Sequence, residues 1–296
     1  FLWFLGDIGY ADDSFIHSGA YVQFDYEIAY NEFMEQIEPF AAIKPVMVLP
    51  GNHEAECHSP NCQLSSTKVH QLSNFSAYVH RFRMPYDESG ATSNMWYSFD
   101  VPPIHFVNID TETDYKNAPN DSYTPFTSNG NFANGGSWTE WLEADLDKVD
   151  RSHTPFVFVG GHRPIYSVTS CDSNGNPADD SANLQAAIED IMYSHEVDVY
   201  FAGHKHSYER SYPVYKAAKE SDSYDAPRAP VHVVTGAGGC DEGHDDDSKA
   251  VNASWHVMHD TSRWGYGMIV ADETSFTWTQ YDAATDTAID TFTLKH

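Results

Sequence analysis

Short apolar runs alternate with longer amphipathic stretches along most of this chain. Four of the runs stop at turns that contain glycine: Phe1–Leu5, Pro45–Pro50, Pro155–Val159 and Val197–Phe201. A short apolar run bounded by turn residues is typical of a buried β-strand. The amphipathic spacing between the runs predicts helices over Asp25–Ile37, Thr67–Phe82 and Ala182–His195, and a further helix that begins at the capping box Ser137–Glu140. Strands that alternate with helices predict parallel pairing and an α/β fold.

The pattern changes after Arg210, where short strands separated by turns replace the alternation. Such runs are typical of an antiparallel sheet, and they cover Val231–Val234, Gly267–Ala271, Ser275–Tyr281 and Ala288–Leu294. Two earlier runs, Trp96–Phe99 and Ile104–Ile109, are expected to form paired or adjacent strands. At 296 residues the chain is long enough for one large core, and we expect a single domain over residues 1–296.

Two polar segments interrupt this pattern. Thr111–Asn134 is rich in Asn, Ser, Thr and Gly, which predicts a long surface loop near the functional face. Gly236–His244 is a glycine-rich loop followed by the acidic run Asp245–Asp247. Three acids in a row are chemically able to hold calcium, but a solvated loop is the stronger expectation.

The net charge of the chain excludes some classes of binding partner. The chain has 16 Lys and Arg against 44 Asp and Glu, a net charge of -28, so a nucleic acid would be repelled over most of the surface. No apolar run reaches the length that spans a membrane. The 16 histidines would offset part of the negative charge at low pH, which indicates an acidic, extracellular setting.

The cysteines and glycosylation sequons also fit a secreted protein. Two disulfides with three possible connectivities are available to the four cysteines, which are Cys57, Cys62, Cys171 and Cys240. We expect Cys57 to pair with Cys62, which lies close in sequence, and Cys171 to pair with Cys240. N-glycans are expected at the three sequons, which begin at Asn74, Asn120 and Asn252.

Side chains able to bind metals follow the ends of the four strands predicted first. The four motifs are Gly6-Asp7-Ile8-Gly9-Tyr10, Gly51-Asn52-His53-Glu54, Gly161-His162 and Gly203-His204-Lys205-His206. In extended backbone, His204 and His206 share one face. Open α/β folds bind ligands beyond the carboxyl ends of their strands, so we expect the four motifs to meet there.

Each motif alone has a structural explanation, such as a core tyrosine or a pair of buried histidines. Four independent explanations do not account for the shared position at strand ends. Mixed Asp, Asn, His and Tyr donors suit two hard or borderline cations, and a phenolate suits a trivalent ion such as Fe(III). Two such cations activate water and bind a phosphoryl group between them.

These motifs, in this order, resemble those of the calcineurin-like metallophosphoesterases, and Tyr10 makes the chain similar to the purple acid phosphatases, of the fungal type. The resemblance covers most of the chain. It implies a two-sheet αββα sandwich of the α/β (α+β) class, with mixed sheets flanked by helices, and a centre of Fe(III) plus a divalent Fe, Zn or Mn ion. It also implies that Asp7 bridges the two ions, that Tyr10 and His206 bind Fe(III), and that the divalent ion is bound by Asn52, His162 and His204.

One ligand of that family has no counterpart here. The family supplies a further aspartate from a Gly-Asp-x-Gly turn on a strand upstream of the tyrosine motif. Gly6–Gly9 fits that pattern superficially, but the following Tyr10-Ala11-Asp12 matches the later turn. The resemblance therefore implies a catalytic domain over residues 1–296 that lacks its first strand and this aspartate, which an upstream segment or a separate chain would carry.

A second departure concerns proton transfer. Plant members of the family carry a histidine pair after the counterpart of His162, where this chain has Cys171 and Asp172. His53 is therefore the main candidate to contact phosphate or to protonate the leaving alkoxide, with a structural role beside the metals as the alternative. Arg163 either binds phosphate or forms a surface salt bridge. Further catalytic candidates are Asp172, His244 and His259.

The reaction implied by the resemblance is hydrolysis of phosphomonoesters by attack of a metal-bound hydroxide, with phytate among the candidate substrates. Two alternatives stay open. A phosphodiesterase or nucleotide hydrolase would use the same metals with different pocket loops. A secreted glycoprotein that binds metal without catalysis is the other alternative.

Overall fold

The computed structural model describes residues 1–13, 26–54, 64–67, 75–119, 138–240 and 242–296. Four α-helices lie in these ranges: α1 (Tyr26–Ala41), α2 (Ser76–Arg81), α3 (Trp138–Leu146) and α4 (Asp179–Ser194). Single turns of 3-10 helix lie at Ala11–Asp13, Asn52–Glu54 and Asp247–Lys249. α2 is the carboxyl-terminal part of the helix predicted over Thr67–Phe82. No helix in the described ranges is both long enough and apolar enough to cross a membrane.

Fourteen strands are present in the same ranges: β1 (Leu2–Phe4), β2 (Val46–Val48), β3 (Tyr97–Val101), β4 (Ile104–Asn108), β5 (Phe156–Gly161), β6 (Val199–Ala202), β7 (Tyr208–Ser211), β8 (Val214–Tyr215), β9 (Ala218–Lys219), β10 (Val231–Thr235), β11 (His256–Asp260), β12 (Gly265–Ala271), β13 (Ser275–Asp282) and β14 (Ala288–Lys295). Seven of them form the main sheet, in the order β11-β7-β10-β6-β5-β4-β3. The strands β12, β13 and β14 form an antiparallel sheet, β1 pairs with β2 in parallel, and β8 pairs with β9.

The main sheet is buried on both faces. Phe156 and Phe158 of β5 pack against Phe276 of β13, with ring centroids 5.3 and 4.7 Å apart. Val157 and Val159 point the other way, because successive residues of a strand face opposite sides, and they join the core that includes residues of the helices. Helices therefore cover one face of the main sheet and the smaller sheet covers the other, which confirms the predicted α/β fold with mixed sheets.

The expectation for the carboxyl-terminal strands is wrong for β10. This strand lies inside the main sheet, where it pairs in parallel with β6 and antiparallel with β7. Its residues Val231–Val234 are buried on both faces, as the interior position requires. The antiparallel pairing predicted for the last three strands is confirmed in β12, β13 and β14.

A groove of about 1360 Å³ runs between β1 and β12. Leu2–Leu5, Gly265–Ile269 and Ala271 line it. Within the described ranges β1 pairs only with β2, and β12 pairs only with β13. Met268 and Val270 of β12 are exposed. Each of these two strands therefore has an unpaired edge on the same apolar groove. A further strand in the groove could pair with both edges.

The predicted disulfide between Cys171 and Cys240 is wrong, because both are free thiols in the structure. Cys171 Sγ lies 3.7 Å from the carbonyl oxygen of Val168 in its own turn, whereas Cys240 Sγ lies 3.5 Å from His206 Nδ1.

Among the predicted glycan sites, Asn252 is exposed, as a glycan acceptor must be. The remaining sites of these predictions lie outside the described residues: Cys57, Cys62, Asn74 and Asn120.

His232 of β10 makes the stability of the fold sensitive to acid. Its ring is buried between Tyr166 and Tyr200, and neither ring nitrogen has a hydrogen-bond partner among the described residues. Burial lowers its pKa from 6.5 to about 3. Between these two values the unfolded chain binds a proton that the folded chain excludes, so the free energy of unfolding falls as the pH drops below 6.5.

We expect His232→Phe to remove this dependence. The wild type should lose about 2 kcal/mol between pH 8 and pH 5 through this one group, because each pKa unit corresponds to about 1.4 kcal/mol. Urea unfolding at both pH values measures the difference, and any packing cost of the larger ring cancels between them. His153→Phe, at an exposed position, is the control. Equal pH dependence in wild type and His232→Phe would show that His232 is protonated in the folded state.

Candidate metal centre

Four of the predicted ligands converge beyond the ends of β1, β2, β5 and β6. Asn52 Oδ1 lies 2.9 Å from His162 Nε2 and 2.9 Å from His204 Nδ1. His162 Nε2 is also 3.0 Å from Asp7 Oδ2. Asp7, His162 and His204 each offer a ligand atom within 4.8 Å of the others. Donors bound about 2.1 Å from one ion lie roughly 3 to 4 Å apart, so these side chains fit a single cation.

Tyr10 and His206 form a second group beside the first. The Tyr10 hydroxyl lies 3.0 Å from His206 Nε2 and 3.4 Å from Asp7 Oδ2. Asp7 therefore contacts both groups. That position is the one a bridging carboxylate would occupy between two cations.

Backbone carbonyls orient two of the histidines. His162 Nδ1 lies 2.7 Å from the carbonyl oxygen of Leu5, and His206 Nδ1 lies 2.9 Å from that of Gly243. A ring nitrogen that faces a carbonyl must carry a proton, which leaves Nε2 as the nitrogen available to a cation. In both histidines, Nε2 is the atom that faces Asp7 or Tyr10.

Close packing of glycines holds the turns together. A Cβ added to Gly6 would lie 2.5 Å from His162 Nδ1, and one added to Gly51 would lie 2.3 Å from Asp7 Oδ1. Only glycine fits at either position. These glycines let the turns after β1 and β2 approach the histidine after β5.

Three predicted ligands have an unusual backbone. Asp7, Tyr10 and His204 adopt positive φ angles of 51°, 43° and 64°. A side chain in this left-handed region costs of order 1 kcal/mol and persists where the surrounding structure enforces it. Such residues cluster at functional sites, which agrees with the placement of these three.

Glu54 is not among the predicted ligands, yet the structure gives it a central position. Its fully buried carboxylate accepts hydrogen bonds from the backbone N–H groups of Asp7 (2.9 Å), Ile8 (2.9 Å) and Gly51 (2.7 Å). Burial raises the pKa of Glu54 and the charge of Asp7 adds to this effect, whereas the hydrogen bonds from the N–H groups of Ile8 and Gly51 oppose it. Glu54 thereby fastens the turn that bears Asp7 to the turn that bears Asn52. The sequence signal for this role is its place in the motif, an acidic residue three positions after the glycine whose N–H group donates to its carboxylate.

The electrostatics of the first group favour cation binding. Burial raises the pKa of Asp7, but the neighbouring His162 and His53 outweigh it and hold that pKa well below the usual range, so the carboxylate is charged. Burial, with Arg163 nearby, lowers the pKa of His204 well below 6.5, so its ring is neutral. A charged carboxylate and a neutral imidazole are the forms that bind metal. At His162, burial lowers the pKa but the neighbouring Asp7 outweighs it and raises that pKa, so a cation there competes with a proton.

Tyr10 behaves differently. Burial and the charge of Asp7 raise the pKa of its phenol well above 10. A phenolate ligand at this place therefore requires a strongly charged cation to displace the proton.

Arg163 is engaged in a buried ion pair. Its Nη2 lies 2.8 Å from Glu112 Oε2, and its Nε lies 3.0 and 2.9 Å from the two carboxylate oxygens.

Thr111 and Glu112 are buried, so the surface loop predicted over Thr111–Asn134 is wrong at its beginning, while residues 120–134 lie outside the described ranges. The backbone N–H groups of His162 and Arg163 donate to Thr111 Oγ1. This contact ties the loop to the histidine after β5.

The structure gives different surroundings to the four predicted catalytic residues, of which His244 faces the backbone carbonyl of His206. The ring of His53 is buried 4.2 Å from that of Tyr10, and its Nδ1 lies 3.0 Å from Asp12. Asp172 is exposed and accepts hydrogen bonds from the backbone of Asn174 and Asn176 in its own turn. His259 Nε2 lies 3.4 Å from Asp247. Of these last three, the structure brings only His53 to the ligand group.

Comparison with known protein families agrees with this site. Residues 1–208 match the model of the calcineurin-like phosphoesterases, and residues 229–291 match the one described as iron/zinc purple acid phosphatase-like protein C. The chain therefore belongs to the calcineurin-like phosphoesterase family. The predicted resemblance to the purple acid phosphatases is confirmed as well.

Individual relatives support the same grouping. Acid phosphatase A of Cryphonectria parasitica is 32% identical over an alignment of 315 positions, which covers 98% of this chain and 60% of that protein. Purple acid phosphatase 18 of Arabidopsis thaliana is 32% identical over 94% of this chain and 52% of that protein. The solved structure of purple acid phosphatase PPD1 from yellow lupin seeds matches with a TM-score of 0.73 and 21% identity, covering 99% of this chain and 46% of that one. This chain thus spans only part of the length of each relative.

Proposed function

We propose that this chain is the catalytic part of an acid phosphatase that hydrolyses phosphomonoesters. The observation that carries the proposal is the convergence of Asp7, Asn52, His162 and His204 on one point, with Tyr10 and His206 beside them. Two adjacent groups of donors that share a carboxylate are the arrangement that two-metal phosphoester hydrolysis requires. The names of the relatives, acid phosphatase and purple acid phosphatase, support the same activity.

The donor sets fit the proposed cations. Asn52, His162 and His204 supply amide and imidazole donors that suit a divalent Fe, Zn or Mn ion, and Tyr10 supplies the hard oxygen that suits Fe(III). Asp7 lies between the two groups and would bridge them. When bound, the cations would generate a nucleophile from water below neutral pH and would neutralise charge on the phosphoryl oxygens.

Residues of the chain itself would set the spacing between the two groups of ligands and donate the proton to the leaving group. Asp7 fixes the separation of the two groups because its Oδ2 contacts both His162 and Tyr10. Asp12 orients the buried His53 ring through Nδ1. The other nitrogen, Nε2, would donate a proton to the leaving alkoxide. Asp172 and His259 stay predictions, with weaker support because their contacts lie elsewhere.

A further aspartate from an upstream segment or a separate chain stays a prediction. The groove between β1 and β12 supports it, because an added strand there would pair with both unpaired edges and join β1–β2 to β12–β14 in one sheet. The carboxyl end of such a strand, if parallel to β1, would lie near Asp7.

We also propose that the protein is secreted and carries N-glycans, for which the exposed Asn252 is the described support.

The test of the iron assignment is the colour of the protein. We expect the iron-loaded protein to absorb in the visible through charge transfer from the Tyr10 phenolate to Fe(III), and Tyr10→Phe to lose that absorption while keeping its unfolding temperature within a few degrees. Tyr266→Phe, which removes an exposed hydroxyl on β12, is the matched control. A visible band unchanged in wavelength and intensity in Tyr10→Phe would exclude Tyr10 as the ligand.

Hydrolysis assays on matched esters test the reaction. Turnover of an aryl phosphomonoester well above that of the corresponding diester would support a phosphomonoesterase, and the reverse preference would identify a phosphodiesterase. Phytate is one of the monoesters to compare. No turnover of either ester by the metal-loaded protein would favour a binding role.

A further inference from the structure

The loop after β10 folds over the group formed by Tyr10 and His206. Cys240 Sγ lies 3.5 Å from His206 Nδ1 and 3.8 Å from its Nε2. Glu242 Oε2 lies 3.9 Å from His206 Nε2 and 3.9 Å from His53 Nε2. His206, Cys240 and Glu242 each offer a ligand atom within 4.8 Å of the others. A thiol, an imidazole and a carboxylate therefore converge at the place where Tyr10 also points.

Backbone contacts hold this loop in place. The Gly243 carbonyl faces His206 Nδ1 at 2.9 Å, and the backbone carbonyl of His206 contacts His244 Nδ1 at 3.2 Å and the N–H of Asp245 at 3.4 Å. Gly239 and Gly243 have φ angles of 113° and 84°, which allow the chain to turn back on itself between β10 and these contacts. The same short segment thus brings two donors and fixes the orientation of the histidine they surround.

We infer that Cys240 and Glu242 are ligands of the cation that Tyr10 and His206 hold. The inference rests on the proposed function only for the presence of a cation at that place. Binding converts the Cys240 thiol to a thiolate: the sulfur forms a bond to the metal, and its proton passes to water. Oxygen, nitrogen and sulfur donors would then surround the ion, and a thiolate is a softer donor than the ligands predicted from the sequence.

This set of donors makes the second position less dependent on a ligand from outside the chain. Tyr10, His206, Cys240 and Glu242 are four donors on one polypeptide beside the bridging Asp7, which is no fewer than the four that are usual around zinc. Sulfur also widens the range of cations that the position accepts toward zinc and cobalt.

Cobalt(II) is the probe for the sulfur ligand. The cobalt-loaded wild type is expected to show thiolate-to-metal charge transfer in the near ultraviolet. Cys240→Ser should lose this absorption and bind cobalt about 10- to 100-fold more weakly, or worse, since even outer contacts of ligands are worth that much. Cys171→Ser removes the other described free cysteine, and we expect it to keep the band. Glu242→Gln should weaken cobalt binding but keep the band.

A measurement on the unaltered protein covers the case in which Cys240→Ser fails to fold. Alkylation of Cys240, followed by peptide mapping, should slow at least tenfold when cobalt is bound. Unchanged alkylation together with a missing near-ultraviolet band would overturn the inference even if the protein hydrolyses phosphomonoesters. A band and protection in a protein without hydrolysis would sustain the inference and refute the proposed function instead.

Discussion

His162→Ala is expected to lose the cation held with Asp7, Asn52 and His204 and to lose hydrolytic activity by at least about a hundredfold, since disturbing even the outer partners of a ligand costs 10- to 100-fold. The histidine contributes Nε2 to the centre of the group, where it lies 2.9 Å from Asn52 Oδ1 and 3.0 Å from Asp7 Oδ2. Its removal also leaves Asp7 without the partner that helps to hold its pKa low. Metal analysis after dialysis and steady-state kinetics on an aryl phosphate measure the two effects.

The informative result is which of the two metals each variant loses. His162→Ala should release mainly one metal, whereas His206→Ala should release mainly the other. His195→Ala removes a histidine from a surface ion pair with Asp147, and we expect it to change neither metal content nor activity. If every ligand variant lost both metals in equal proportion, the assignment of two separate positions would be wrong.

Glu54→Ala is expected to have the largest effect on stability. It leaves three buried backbone N–H groups without an acceptor, those of Asp7, Ile8 and Gly51. Each such group costs about 1–3 kcal/mol, so a loss of about 5 kcal/mol in the free energy of unfolding is expected. Chemical denaturation measures it.

A loss of that size approaches the whole stability of many domains, so a milder change is needed beside it. Glu54→Gln keeps one oxygen acceptor and should lose about 1–3 kcal/mol. Metal binding by Glu54→Gln should also weaken, because the turns that bear Asp7 and Asn52 are no longer fastened on both sides. The control is Glu273→Ala at an exposed position, expected within about 0.5 kcal/mol of wild type. Wild-type stability in Glu54→Ala would mean that water replaces the carboxylate.

The positions of the candidate ligands could be predicted from the sequence because each follows an apolar run typical of a buried strand. Open α/β folds bind ligands beyond the carboxyl ends of their strands, so the turns after β1, β2, β5 and β6 are expected to meet, although β1 and β2 pair outside the main sheet. His162 and Asn52 were therefore placed correctly relative to each other, although neither the distance between them nor their hydrogen bonds followed from the pattern. The metal roles assigned to them stay predictions.

Contacts between distant segments could not be predicted in the same way. Periodicity reports which face of an element is buried, but it does not report which loop packs on which. Arg163 could have faced phosphate or solvent, and only the fold brings Glu112 to it. The sequence predicts a disulfide between Cys240 and Cys171 that would bring their two loops together, yet the structure directs the Cys240 sulfur to His206. The placement of β10 was wrong for a related reason, since a short apolar run fits an interior parallel strand as well as an antiparallel one.

The left-handed backbone at Asp7, Tyr10 and His204 has a consequence for protein engineering. Replacing a side chain in that region by glycine is a standard route to a more heat-resistant protein, because it relieves steric conflict of order 1 kcal/mol. A screen that ranks variants by melting temperature without metal weighs this relief against the contacts that each side chain makes, such as the hydrogen bond from the His53 N–H to Asp7 Oδ1, and does not register the loss of metal binding. In this fold, a variant that gained melting temperature by this route would have lost a candidate metal ligand. A useful screen would therefore have to select on metal retention first.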